Sequence, residues 1–327
     1  MENRIVYITL SLVILLGLPV EVLLAEANSD IAALLRAQLE QARGSAPEPT
    51  VDIRITDAKL RAADPQHLLG ILAPYEKDSE WSVRHMAHLI IVRVANIHPI
   101  TQIRQEVARR LVEAEFNGTD RGTHKLLLNY TANDFNGQSK ALIRKALAQA
   151  NIGRVGGHAS IWLCGVANLQ DQLPRLNELL MDEVAYRTDR KTRHSTKWYY
   201  SSAWAARLAR ARMGIKQDIE RCIALIEEEI DGNKQWRLLD RLGYIRQPEA
   251  IESLKGYFLS NLRLPPTNPG MEGEAYSHYL MPILEDSLLN WPVRSTPIQR
   301  SARVYSEEEI QLCKEWISEQ TRWQIRR

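Results

Sequence analysis

The sequence has few of the residues that mark cross-linked or low-complexity proteins. It contains 3 Cys, 14 Pro, 16 Gly and 3 Phe among 327 residues. Three cysteines are too few for a disulfide scaffold, and so little Pro and Gly excludes a low-complexity chain. Hydrophobic residues make up 45% of the chain and charged residues 25%, as in ordinary globular proteins. We therefore expect a folded chain with a sizeable core.

The three cysteines, Cys164, Cys222 and Cys313, are odd in number and widely spaced. One disulfide with a leftover thiol is one interpretation of this number. However, Cys164 follows the apolar run 161–163, and Cys222 takes an apolar position in a helical pattern. These surroundings favour buried free thiols over a disulfide.

An apolar run near the N-terminus, residues 5–18, is too short for a typical transmembrane helix. Pro19 interrupts it, and residues 25–27 (Ala-Glu-Ala) supply the small side chains that a signal peptidase needs. The pattern predicts a signal peptide over residues 1–27 with cleavage near Ala27, and hence a periplasmic or secreted protein. A retained N-terminal membrane anchor is the alternative.

The net charge gives no argument for nucleic acid as a partner. Removing residues 1–27 takes away one of the 42 basic residues and three of the 40 acidic ones, which leaves 41 against 37 and a formal charge of +4. Proteins that bind nucleic acid are usually far more basic or carry a concentrated basic face. We therefore expect no nucleic acid partner.

Hydrophobic residues recur at the helical period of 3.6 almost everywhere, and no alternating runs are joined by a hairpin turn. The region 28–63 is predicted as an N-terminal helix and linker, with the helix over 28–43. The later helices are predicted in pairs: 65–77 with 80–96, 100–116 with 119–132, 137–150 with 156–168, 171–185 with 195–213, 216–230 with 233–243, and 248–261 with 272–289. A last helix is predicted at 306–323. The expected fold class is all-α.

The turn between the first two paired helices has a recognisable pattern. Asp78 opens it, and Val83 and Arg84 follow at the start of the next helix. This segment resembles the turn between the two helices of a HEAT repeat, a member of the armadillo-type helical repeats. The resemblance implies that Asp78 caps the second helix, that Val83 enters the core and that Arg84 bonds back to the turn.

The chain also matches itself at two offsets. An offset of 46 places Ala159, Trp162, Leu169, Leu173, Leu176, Leu179 and Leu180 on Ala205, Leu208, Ile215, Ile219, Cys222, Leu225 and Ile226. An offset of 32 places Trp204, Ile219, Cys222 and Ile226 on Trp236, Ile251, Leu254 and Phe258. The larger offset lies within the roughly 40–47 residues of HEAT and armadillo units. We therefore predict a HEAT- or armadillo-like α-solenoid of about six helix pairs, with repeats over 64–261 and an irregular C-terminal cap of helices and long loops over 262–327.

His85 and His88 stand three residues apart on one predicted helix, a spacing at which two imidazoles can share a metal ion. A third ligand has to come from elsewhere, with His124 as one candidate. The chain also has no His-Glu dipeptide, whereas HEAT-type di-iron hydroxylases carry repeated His-Glu pairs as ligands. We predict no catalytic residues, no metal site and no cofactor, and keep a metal-binding protein or enzyme that uses His85 and His88 as an alternative.

Basic residues are densest in one loop that leads into three aromatic residues. The residues of this candidate partner surface are Arg187, Arg190, Lys191, Arg193, His194, Lys197 and Trp198. Such a loop can hold a polyanion or stack ring-shaped ligands, and a solvated basic turn beside core aromatics is the alternative. The predicted function is an exported, non-catalytic scaffold that binds another protein. Binding of an anionic glycan or a lipid surface through this loop is a further alternative.

Overall fold

The structure, a computed structural model, describes residues 20–43, 55–150, 158–180, 202–228, 232–263, 275–294 and 304–326. In these ranges it has fourteen α-helices and no β-strand, which confirms the all-α class. The helices are α1 (Val20–Ala42), α2 (Asp57–Ala62), α3 (Pro65–Leu72), α4 (Trp81–Ile97), α5 (Thr101–Phe116), α6 (Gly137–Ala148), α7 (Ala159–Val166), α8 (Leu173–Leu180), α9 (Ser202–Arg212), α10 (Lys216–Glu227), α11 (Gly232–Ile245), α12 (Pro248–Leu259), α13 (Tyr276–Ser287) and α14 (Glu307–Glu319).

The helix predicted at 119–132 is wrong. This segment instead contains two short 3₁₀ helices, Thr123–Leu127 and Ala132–Asp134. Gly122 has a left-handed backbone with φ of 108°, which an α-helix does not tolerate. Further on, the Asp134 carboxylate accepts from the backbone N–H of Thr131 at 2.7 Å. Local side-chain bonds of this kind compete with helical hydrogen bonds and favour turns.

Two other helices also differ from the prediction at their ends. The first one begins at Val20 rather than at residue 28, and α2 had no counterpart in the predicted helices. The helix predicted at 65–77 ends at Leu72 and is followed by a 3₁₀ turn, Tyr75–Lys77. Pro74 precedes that turn, and its missing N–H and fixed ring explain why α3 stops there.

Contacts between residues divide the chain into two compact units. The first unit comprises the described residues up to Arg110 together with 117–120. The second comprises 111–116 and the described residues from Arg121 onward. The boundary falls within the region predicted as repeats, and α5 contributes to both units.

In the first unit, α4 is the central helix because α1, α2 and α3 all pack against it. Its buried apolar residues recur every three or four positions, as the helical period of 3.6 requires: Val83, Met86, Ala87, Ile90, Ile91, Val94 and Ala95. Arg93 on the same helix pairs with Asp57 of α2, with an Nη2–Oδ1 distance of 2.6 Å. The short α2 is therefore fixed to the core helix by an ion pair as well as by apolar contact.

In the second unit the helices alternate in their packing. Helix α7 packs against α9, α9 packs against α11, and α11 packs against α13. Helices α8, α10 and α12 each pack against a helix that is next to them in the sequence. A residue with a left-handed backbone follows the end of each of α7, α9 and α11: Asn168 with φ of 52°, Gly214 with φ of 93° and Arg246 with φ of 52°. These residues are 46 and 32 positions apart, the same two offsets at which the sequence matches itself.

Gly165 brings three helices of the second unit close together. A Cβ atom at this position would lie 2.8 Å from the Cα atom of Ala209 on α9 and would collide with the Tyr244 hydroxyl of α11. That hydroxyl donates to the Trp162 carbonyl at 2.7 Å, and the Tyr244 ring meets the Trp162 ring edge-on. The close approach of α7 and α9 therefore requires glycine at 165.

A buried arginine ties two chain segments of the second unit together without any carboxylate. Arg212 donates from Nη1 to the Tyr244 carbonyl at 2.7 Å and from Nη2 to the Tyr130 carbonyl at 3.0 Å. Burial lowers the pKa of Arg212 to about 10, which still leaves it charged at neutral pH. The Tyr244 carbonyl belongs to the last turn of α11, where the negative end of the helix dipole favours a cation.

The three cysteines are buried thiols, and none forms a disulfide. Burial raises the pKa of Cys164 to about 12 and that of Cys313 to about 11. Thiols with such high pKa values are poor nucleophiles at neutral pH. They are packing residues.

Candidate functional site

The basic loop predicted as a partner surface lies outside the described residues. This applies to every residue of it: Arg187, Arg190, Lys191, Arg193, His194, Lys197 and Trp198. Its role therefore remains a prediction.

The turn before α4 differs from the predicted one in the part played by Asp78. Helix α4 begins at Trp81 with Glu80 as its N-cap residue, and no side chain caps it. The Asp78 carboxylate accepts from the Glu80 N–H at 2.9 Å, one residue before the helix, and accepts two hydrogen bonds from Arg43, the residue that follows α1. Asp78 therefore shapes the turn and joins it to α1, and it is not the N-cap.

The other two residues of this turn contact the core and the backbone of the turn. Val83 is fully buried. Arg84 donates from Nη1 to the carbonyls of Asp78 and Ser79 at 2.6 and 2.7 Å, and from Nε to the carbonyl of Thr119 at 2.8 Å. Its guanidinium thus joins the turn to the segment 117–120.

The same segment carries the carboxylate that gathers the two predicted histidines. Nδ1 of His88 lies 2.6 Å from Oδ2 of Asp120, and both side chains are only 1% exposed. Nδ1 of His85 lies 3.5 Å from the same oxygen, and the His85 side chain is 27% exposed. A buried carboxylate thus faces two imidazoles, one inside the unit and one at its surface.

Trp81 completes this group, which we call the Asp120 cluster: Trp81, His85, His88 and Asp120. The indole Nε1–H donates to Oδ1 of Asp120 at 2.9 Å. The indole ring also stacks on the His85 ring, with centroids 4.8 Å apart and an angle of 13° between the planes. The side chain is nevertheless 43% exposed. Trp81 is therefore a surface aromatic residue held in one position by two contacts.

Helix geometry explains why α4 contributes three members of the cluster. Trp81, His85 and His88 are separated by four and three residues, so they share one face of the helix. Asp120 comes from the turn after α5, 32 residues beyond His88.

The electrostatics of the cluster keep Asp120 ionised. Burial by itself raises the pKa of this carboxyl, but the interactions with His85 and His88 outweigh it and hold the pKa well below its usual range. Because an ionised carboxylate only accepts hydrogen bonds, the close contact places a proton on Nδ1 of His88. A neutral imidazole held in this way presents an unprotonated Nε2.

An imidazole whose Nδ1–H faces a carboxylate is suited to proton transfer or to metal binding through Nε2. Within the described ranges, no group of three or more His, Cys, Asp or Glu side chains is placed to hold a metal ion. His124, the third candidate ligand in the sequence, belongs to the second unit, where its Nδ1 lies 3.1 Å from Oε2 of Glu115. The same oxygen accepts from the backbone N–H groups of Gly122 and His124.

Sequence reasoning identified His85 and His88 but missed Asp120 and Trp81. For Trp81 a signal was present, because its spacing to both histidines is helical. For Asp120 there was none, since its contacts span 32 to 39 residues and the segment around it was predicted to start a helix.

Compared with models of protein families, with curated proteins and with solved structures, the chain gives no match. In the part of the chain that the structure describes, no helix is both long and apolar enough to cross a membrane.

Proposed function

We propose that this protein is an exported, non-catalytic scaffold of HEAT-like helical repeats that binds another protein. The observation that carries this proposal is the recurrence of left-handed helix ends at Asn168, Gly214 and Arg246, at the offsets at which the sequence repeats. Matching helix ends at matching offsets are expected when one helix pair is stacked on the next. The successive packing of α7, α9, α11 and α13 supports the same arrangement.

The Asp120 cluster supports a binding role for the first unit. Tryptophan is enriched among the few residues that dominate the energy of protein interfaces. Trp81 is exposed, yet its hydrogen bond to Asp120 and its stacking on His85 already fix its orientation. Because little side-chain freedom remains to be lost, binding through this indole costs less entropy than binding through a mobile side chain.

The test is affinity capture with the mature chain and the variant Trp81→Ala. We expect the variant to lose a partner that the wild type retains. Leu312→Ala is the matched control, because Leu312 is a comparably exposed apolar residue, 50% exposed, on α14 of the second unit. Equal loss of the partner in both variants, or in neither, contradicts a binding role for Trp81.

Export requires that cleavage near Ala27 leave the buried part of α1 intact. Among the described side chains of α1, the buried ones begin at Ile31, so cleavage near Ala27 keeps all of them. Asn28, the first residue after that cleavage, accepts from the backbone N–H of Asp64 at 3.1 Å and so remains useful to the fold. The N-terminal sequence of the protein recovered from expressing cells tests this, since a retained anchor leaves residues 1–27 in place.

A second candidate function is a metal-binding or proton-transferring site at His85 and His88. The observation that favours it is Asp120, because a carboxylate behind an imidazole is the usual support of a metal-bound or catalytic histidine. Metal content measured on protein purified without a His tag decides the metal alternative. Bound metal that disappears in His85→Ala supports it, and metal-free protein contradicts it.

Binding of an anionic glycan or lipid surface through the Arg187–Lys197 loop is tested separately, by whether binding weakens steeply with salt.

A further inference from the structure

The sequence contains two Asn-Gly dipeptides, Asn117-Gly118 and Asn136-Gly137, and the structure places them in opposite environments. In an Asn-Gly pair the backbone nitrogen of Gly can attack the Asn side-chain carbonyl carbon, because glycine has no side chain to obstruct the approach. Whether this reaction proceeds in a folded protein depends on the freedom of the Asn side chain and of the local backbone.

Asn117 has that freedom. It lies in the turn after α5 and is exposed, and its side chain has no hydrogen-bond partner among the described residues. Gly118, the residue that supplies the attacking nitrogen, has φ of 75° and is outside any helix. The Asn117 side chain can therefore turn toward the Gly118 nitrogen without giving up a hydrogen bond of its own.

Asn136 is held in place. It is the N-cap of α6, and its Oδ1 accepts from the backbone N–H of Ser139 at 2.9 Å and from the Ser139 hydroxyl at 3.1 Å. Gly137 is the first residue of the helix. Attack on the Asn136 side chain would break the cap and distort the first turn of α6, and this cost raises the activation barrier for deamidation at Asn136.

From this contrast we infer that Asn117 is a site of spontaneous deamidation and that Asn136 is protected. The Gly118 nitrogen forms a bond to Cγ of Asn117, the bond from Cγ to the side-chain nitrogen breaks, and ammonia leaves with the proton lost by the Gly118 nitrogen. The succinimide ring that results takes up water and opens at either carbonyl, which gives aspartate or isoaspartate. One water is consumed and one ammonia is released, and no oxidant or reductant takes part.

The position of Asn117 gives the reaction a consequence for the Asp120 cluster. Isoaspartate lengthens the backbone by one carbon atom just before Thr119 and Asp120. The Thr119 carbonyl accepts from Arg84, and the Asp120 carboxylate holds Trp81 and His88. A longer backbone displaces these acceptors from α4, so the cluster loosens as the protein ages.

The experiment is incubation of the purified full chain at mildly alkaline pH, followed by peptide mapping with mass spectrometry that distinguishes aspartate from isoaspartate. We expect conversion at Asn117 with isoaspartate as a major product, and conversion at Asn136 that is about tenfold slower. Equal rates at the two positions, or an intact Asn117, overturn the inference. Asn117→Gln is the control, because the longer side chain forms its ring far more slowly, and circular dichroism checks that the variant folds.

The effect on the cluster has a separate readout. After equal incubation, the aged wild type should melt at a lower temperature than the aged Asn117→Gln variant. Asn117→Asp provides the same new charge on a normal backbone and should melt close to the unaged wild type. Isoaspartate formation without any fall in melting temperature would show that the longer backbone leaves the cluster intact.

Discussion

The two units hold their central helices by different means. In the first unit, polar groups fix the turn and the surface of α4: Arg84 binds three carbonyls, and Asp120 joins Trp81 to His88. In the second, α7 and α9 meet at Gly165, where only a hydrogen atom fits. Polar contacts depend on protonation and tolerate changes of shape, whereas a close helix contact depends on side-chain volume. The two units should therefore respond to different mutations and conditions.

The largest effect is expected for Gly165→Ala in the second unit. The added methyl group collides with the Tyr244 hydroxyl and presses on the Cα atom of Ala209, so α7 and α9 must move apart. Overpacking of a rigid contact of this kind costs about 3 kcal/mol of unfolding free energy. Urea denaturation followed by circular dichroism measures the change.

Gly256→Ala is the matched control, because Gly256 lies in α12 with no atom within 4 Å of its missing Cβ. Alanine forms helix better than glycine by about 1 kcal/mol, so this variant should be as stable as the wild type or more stable. A destabilised Gly256→Ala, or an unaffected Gly165→Ala, would mean that the close contact does not limit packing in the second unit.

Asp120→Asn should have the next largest effect, and its size should depend on pH. The amide keeps the shape of the carboxylate but loses the charge that the histidines stabilise, which we expect to cost about 2 kcal/mol at neutral pH. The folded-state pKa of Asp120 lies below its ordinary value of 3.8. The carboxylate charge therefore stabilises the folded protein above pH 3.8, and this stabilisation is lost as the pH falls toward the folded-state pKa. The stability gap between wild type and variant should thus be widest near neutrality and shrink below about pH 4.

Denaturation midpoints of both proteins, measured over a series of pH values, give this gap. A gap that is constant down to acid pH would mean that the carboxylate charge is not what stabilises the cluster. Asp171→Asn is a suitable control, since Arg144 lowers the pKa of that exposed carboxyl to about 2 and the pair itself lies at the surface. Solvent screening should leave its effect small.

The sequence predicted those features of the molecule that depend on nearby residues. The buried apolar residues of α4 follow the predicted period of 3.6, and the last predicted helix is present as α14, with a capping box formed by Ser306 and Glu309 at its start. The segment 119–132 was predicted wrongly, because its apolar residues suit a helix while Gly122 and the Thr131–Asp134 contact favour turns. The spacing of apolar residues alone does not reveal such turn-forming contacts.

The candidate site was predicted only in part, for a related reason. His85 and His88 are visible as a pair because both are on one helix. Asp120 becomes their partner only through the path of the chain between α5 and the following turn, and no local pattern encodes that path. The two offsets of the self-match, 46 and 32, also separate the left-handed residues Asn168, Gly214 and Arg246, although nothing in the sequence predicted their backbone angles.

The smallest loss of stability is expected for Asp78→Ala in the first unit, and Ser306→Ala in the second unit is the variant to compare with it. Ser306 is a true N-cap whose hydroxyl accepts from the Glu309 N–H, so Ser306→Ala should cost about 1 kcal/mol. Asp78 accepts from the Glu80 N–H before the helix begins, so Asp78→Ala should cost less than about 1 kcal/mol.

Asp78→Asn separates the two roles of this residue. The amide oxygen can still accept from Glu80, while the charge that pairs with Arg43 is lost. Because that pair is at the surface, the variant should be close to the wild type in thermal melting and insensitive to added salt. If Asp78→Asn is as destabilised as Asp78→Ala, the link to α1 is the more important contact, and the first unit depends on charge even at its exposed turn.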